Sequence, residues 1–261
     1  MRSLDPIVFD VDLPAPLDMA AKMLLARAFV CHVMYMRGLV SEPLNHMDVS
    51  QSNEVMFEGL SSGGDDGTSS GGGAKHKAWA RKRVRVQTAF AQLFNDLARI
   101  FVDLSGAVSA VSLMLGATSV HPKETYSVHF VSPGAHCTPP SPTPTPDKTV
   151  QACLRKLIRS MVMKWADVPV STSKRLSIFL AVKPCSPPSP SSTAAVRDNA
   201  SFACKPAFRV KAPKRGTAAV HVLLHSSDGD GSGDMDAGAD IDTPAFWYVS
   251  KKGVKPMPGS S

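Results

Sequence analysis

At 261 residues, with 43% hydrophobic residues, the chain has ample length for a buried core in one or two domains. The 21 Pro and 18 Gly are unevenly spread, so the globular share is smaller than the length suggests. The net charge is +7, but the basic residues are scattered outside Lys75–Arg85 and Lys205–Arg215. That argues against nucleic acid as the partner and leaves an acidic protein surface or plain solvation.

Residues 1–13 read as an extended arm or edge strand, because Ile7, Phe9 and Val11 alternate with polar residues. Pro14 and Pro16 end it. Asp18 is placed to cap a helix over Met19–Arg37 that stops at Gly38. Leu24, Ala28, Cys31 and Tyr35 form one stripe, and Leu25, Phe29, His32 and Met36 the next. A helix apolar over so much of its circumference is expected to sit centrally. The run Met19–Met36 contains Lys22, Arg27 and His32 and is read as too short and too charged to span a bilayer. The acidic, Pro-broken N-terminus does not read as a signal peptide, so a soluble protein made in the cytosol is expected, with no membrane partner.

Leu39–Val55 is a connection, and residues 56–75 are Gly/Ser-rich and read as a flexible insertion. A second helix is predicted over Lys77–Leu104, where Val86, Phe90, Leu93, Leu97, Ile100 and Leu104 step by four and three. Its basic first turns read as a solvated helix start in preference to a docking patch. Residues 107–115 and 125–131 alternate and suggest a hairpin with a wide loop. Residues 133–147 are Pro-rich and predicted flexible. Their Ser/Thr-Pro steps, like those at Ser186–Pro190, suit proline-directed kinases or plain linker composition.

The third helix, Lys148–Trp165, carries the widest amphipathic pattern. Val150, Leu154, Leu157, Met161 and Trp165 share one stripe, which Cys153, Ile158 and Val162 widen. Gln151, Arg155, Lys156, Arg159 and Lys164 take the opposite side, and Thr149 or Asp147 can cap the start. The plain reading is a core helix against a sheet. The sharper reading leaves the margin around Ile158 for a partner protein, with Arg155 and Arg159 as its charged rim.

Leu176–Val182 reads as a central strand, and residues 184–200 as a Pro/Ser insertion. Phe202–Val210 and Ala218–Leu224 suggest a strand pair around a basic turn. Residues 226–243 are acidic and predicted flexible, and they lack the ligand register of a calcium loop. Ala245–Val249 is strand-like and a basic tail follows. The sum is an α+β chain over residues 1–250: three helices on one face of an antiparallel sheet of about six strands, with four insertions.

The five Cys include no CxxC pair, which fits reduced thiols and not a disulfide scaffold or zinc site. His32 has no second ligand one helical turn away and reads as an ordinary half-buried histidine. No phosphate-binding, dinucleotide, nucleophile-elbow or zincin motif is present. The carboxylates cluster in insertions, where they cannot be held rigidly enough for acid–base work. Neither an enzyme nor a cofactor is expected.

Several blocks, taken in order, carry a resemblance. They are His32–Arg37 followed by Pro43; Leu113–Gly116 and then Pro122–Glu124; Ala152–Arg159; Phe208–Val210; Arg215–Gly216; and Trp247. In this order and spacing the chain resembles the family of Mad-two-binding "comet" proteins, over about two thirds of its length. The resemblance implies a HORMA-like fold with a C-terminal safety-belt segment. It also implies a non-enzymatic adaptor that binds the closed form of Mad-two and presents it to a Pch-two-type AAA+ ATPase, silencing the mitotic checkpoint. Meiotic HORMA proteins are further partners it implies, with a nuclear and cytoplasmic location at spindle or kinetochore. Residue by residue, it places partner contacts on Ile158 and Met36, in place of an aromatic and an amide, with Arg37, Arg155 and Arg159 beside them. It places the ATPase-facing Pro-Lys pair on Cys204 and Lys205, where only the Lys is kept. Two other readings stay open: a basic nucleic-acid-binding module, and a meiotic HORMA protein that captures a closure peptide.

Overall fold

Among the described residues, helical and alternating periods resolve into three helices and seven strands in the computed structural model. In chain order these are β1 (Ile7–Leu13), α1 (Met19–Met36), α2 (Gly73–Asp103), β2 (Val108–Gly116), β3 (Pro122–Val131) and α3 (Asp147–Lys164), which runs into a 3-10 turn at Trp165–Asp167. Then come β4 (Ser177–Pro184), β5 (Phe202–Lys205), β6 (Ala219–Ser226) and β7 (Trp247–Ser250). The structure describes residues 6–14, 16–39, 73–105, 107–131, 145–168, 176–185, 202–205, 208, 219–226 and 247–255. The connection at 40–55, the acidic segment from 227, the basic turn at 211–217 and most of the other three predicted insertions lie outside these residues.

The strands form one sheet in the order β1-β6-β3-β2-β4-β7-β5. The predicted β2–β3 hairpin is present and antiparallel. Its register shifts at Gly116, where a Cβ would stand 2.9 Å from the Pro122 Cα, so only glycine fits this close approach. Two expectations are corrected. The sheet is mixed, not antiparallel, because β6 runs parallel to both β1 and β3. The segments at 202 and 219 do not pair with each other either: β5 pairs with β7, and β6 fills the slot between β1 and β3. The physical reason is that Val220, Val222 and Leu224 give β6 a fully apolar row, and an interior slot buries it better than an edge.

The helices pack on one side of the sheet. Leu25 and Phe29 of α1, Leu97 and Ile100 of α2 and Leu157 of α3 share one core with the inward rows of the strands. Within it α1 contacts α2, α3 and β3, and α3 contacts β1. By length and hydropathy α1 does pass as a membrane span, contrary to the sequence reading; its 18-residue window is 56% buried, as a core helix would be. Asp18 caps it as expected, accepting from the Ala21 N–H at 2.7 Å. Gly38, at φ +63°, ends it in the left-handed region. The start of α3 differs from expectation: Pro146 is its N-cap residue, and no side chain caps it.

The other sheet face holds a smaller apolar cluster. It joins Ala110, Met114, Phe179, Ala181, Trp247 and Val249, with Phe208 against it. Beside the cluster the Ser112 and Ser127 hydroxyls share a buried 2.7 Å hydrogen bond, and His129 meets His221 at 3.0 Å.

Candidate partner-binding face

The stripe on α3 buries Val150, Cys153, Leu157 and Met161. Its centre is turned slightly from the predicted one: Cys153 is fully buried, while Leu154 sits half-buried at the margin. Ile158 lies on that same margin, half-buried and reachable from outside. One turn further, Val162 is 49% exposed and Met163 74% exposed. Arg155, Lys156, Arg159 and Lys164 are exposed around them, and no acidic residue occurs between Lys148 and Lys164. The Arg155 Nε–H donates to the Gln151 carbonyl at 3.2 Å. The result is a low apolar ridge within a cationic field, which can meet an apolar patch bordered by carboxylates. Sequence reasoning missed Met163, because it sits off the stripe among the charged positions.

The end of α3 is anchored by a buried polar chain. Arg37, just past α1, donates twice to Glu124 of β3: Nε to Oε2 at 2.7 Å and Nη2 to Oε1 at 2.6 Å. These side chains are 5% and 0% exposed. The Tyr126 hydroxyl donates to Glu124 Oε2 at 2.9 Å, and its ring stacks on Trp165 at 5.6 Å. Burial first, and then the Glu124 carboxylate, push the Tyr126 phenol well above its ordinary range, which keeps it a proton donor. Arg37 is therefore corrected from a partner contact to an internal one. Its guanidinium is turned inward, because the buried Glu124 carboxylate needs a cation and a bidentate fork fits it. Met36, its neighbour, is half-buried and packs against the core.

The signal for this network was present in part. Glu124 alternates in phase with Tyr126, Val128 and Phe130, so the strand carries an acid on its buried side. Such an acid demands a cation, but nothing local points to Arg37, 87 positions away.

Cys204 and Lys205 stand elsewhere, on β5 at the opposite edge of the sheet from β1. Both are half-buried. The Lys205 Nζ lies 5.5 Å over the Phe208 ring, which meets Trp247 edge-on at 6.4 Å. The structure thus brings Ile158, Arg155 and Arg159 together on one helix and places Met36 on the adjoining one. The β5 pair belongs to a separate surface.

No family model matches the chain, and no curated protein matches it. Among the described residues, no group of three or more His, Cys, Asp and Glu side chains is placed to hold a metal ion. Among the described residues the His32 Nε2 has no hydrogen-bond partner, and burial lowers the basicity of the ring. Of the basic run Lys75–Arg85, Arg81 and Arg85 are exposed, and most of the other side chains lie outside the described residues.

Proposed function

We propose that this chain is a non-enzymatic adaptor that recognises a folded HORMA protein, the closed form of Mad-two, through the outer margin of α3. On this reading it presents that partner to a Pch-two-type AAA+ ATPase for remodelling through the surface around Lys205. The observation that carries the reading is the accessible ridge of Ile158, Val162 and Met163 inside an unbroken cationic border. A second feature fits it. The C-terminal segment contributes β6 to one side of the sheet and β7 to the other, and β7 itself fills the edge of β4. That arrangement supports the adaptor over a chain that captures an outside peptide at the same edge.

Burial of the still-exposed part of the Ile158 side chain supplies on the order of 1 kcal/mol to such a contact, and the arginines set orientation and on-rate. The test is a binding titration of closed Mad-two against the full chain and its Ile158→Arg variant. Loss of binding supports the reading, and undiminished binding removes the α3 margin from it. Affinity for single or double strands that collapses with added salt would replace it with the nucleic-acid reading.

A further inference from the structure

Thr145 ties the start of α3 to the start of α1. The Asp18 backbone N–H donates to Thr145 Oγ1 at 3.1 Å, and the Thr145 N–H donates to Asp18 Oδ2 at 2.9 Å. The other carboxylate oxygen of Asp18 is the one that caps α1. One aspartate therefore serves two helices: it holds its own first turn and grips the residue that leads into α3. Because Pro146 supplies no side-chain cap, the first turn of α3 leans on this reciprocal pair.

The residues around Thr145 are also a recognition sequence. The chain contains eight Ser/Thr-Pro steps, and only Thr145-Pro146 is followed by a cation at the third position, Lys148. Pro146, Asp147 and Lys148 are all exposed. A proline-directed protein kinase reads this chemistry: an apolar pocket accepts the ring that lacks an N–H, and an acidic pocket accepts the Lys. The uncapped first turn can fray to let the segment extend.

We propose that Thr145 is a phosphorylation site for such a kinase, and that its phosphate releases the tether between α1 and α3. The γ-phosphoryl group of ATP is transferred to Thr145 Oγ1. The Oγ1–P bond forms, the bond to the β-phosphate oxygen breaks, ADP leaves, and the hydroxyl proton passes to solvent. The phosphate brings a charge of about −1.5 to −2 to an oxygen that now sits against Asp18. Its like charge repels the Asp18 carboxylate, which at present accepts from the Thr145 N–H. Both interlocking hydrogen bonds are lost, and the Asp18 cap on α1 loosens with them. The freed phosphate then lies near the open N-terminus of α3, where the helix dipole favours it. The site and its effect on the tether stand whatever the partner of α3 is; only its influence on partner binding rests on the proposed function.

The test treats the full chain with a cyclin-dependent kinase and MgATP, maps the phosphate by mass spectrometry, and follows hydrogen exchange over residues 16–21. Phosphate on Thr145 is expected, with exchange at Asp18 and Ala21 accelerated about tenfold. Lys148→Ala, which leaves the tether untouched, should slow labelling of Thr145 but not of the other Ser/Thr-Pro steps. Asp18→Asn keeps a capping oxygen and removes the charge, so the acceleration should shrink to about threefold or less. Labelling of other Ser/Thr-Pro steps with Thr145 bare overturns the site. Phosphate on Thr145 with unchanged exchange overturns the release.

Discussion

At the β1 margin of the sheet, Ile158 rides on an 18-residue helix whose inner side is locked into the core. At the β5 margin, Cys204 and Lys205 sit on a four-residue strand that pairs with β7. The first surface is backed by a buried charge network, Arg37–Glu124–Tyr126, stacked on Trp165. The second is backed by Trp247 and Phe208 on the other sheet face. The two surfaces differ in what supports them. The outer side chains of α3 can change without disturbing the fold beneath them, so the ridge behaves as a rigid anchor. The β5 surface rests on its pairing with β7, a strand of the C-terminal segment.

Removing the support under α3 should have the largest effect. Glu124→Ala takes the carboxylate from the buried Arg37 guanidinium and from the Tyr126 hydroxyl. It should destabilise the chain by about 3–5 kcal/mol, read as a lowered urea midpoint. A change below about 1 kcal/mol would mean that the network is not what holds that margin.

Acid should loosen the half of the sheet that contains β6 before the β5 margin. Burial, with smaller contributions from His221 and Lys183, lowers His129 to about 3, and burial lowers His221 as well. His32 shifts in the same direction. These rings stay neutral in the fold, whereas unfolded imidazoles take a proton near pH 6.5. Their contribution is whole above that value and is lost as the pH falls from it towards 3. At pH 5 the loss from His129 is about 2 kcal/mol. Urea titrations at pH 7.5 and pH 5 measure it, and His129→Phe should flatten the difference. Neither β5 nor β7 contains a histidine.

Surface changes should affect stability less still. On the proposed reading, Ile158→Arg should lower the affinity for closed Mad-two about tenfold to hundredfold while shifting stability by less than about 1 kcal/mol. A collapse in stability would show that Ile158 serves the core alone. Lys205→Ala should cost under about 0.5 kcal/mol in the same unfolding assay and leave the α3 contact intact. On the proposed reading its effect falls on ATPase-dependent remodelling, and an equal loss of Mad-two binding would merge the two surfaces into one.

Much of the architecture was legible because it follows from period. The steps of four and three over Val86–Leu104 gave a helix, and the alternation either side of Gly116 gave a hairpin. The centre of the α3 stripe was legible only to within about one residue. Cys153 and Leu154 exchange places because the positions of α1 and β1 decide which edge of a wide apolar face is covered. The parallel insertion of β6 was not legible, since parallel neighbours share no turn and leave no mark in the intervening chain. In the sequence Thr145 falls in a Pro-rich run predicted flexible, because its partner Asp18 lies 127 positions away.

Local chemistry by itself determined which segments are helical, which are extended, where α1 is capped, and that α3 has an apolar side too wide to leave in water. Tertiary structure alone decided that Arg37 turns inward, that Glu124 is its counterion, and that the candidate contacts separate onto two margins of one sheet. The reason is range. Backbone period and capping are settled within a turn or two of chain, whereas pairing a buried charge or choosing a strand's neighbours depends on residues that only folding brings together.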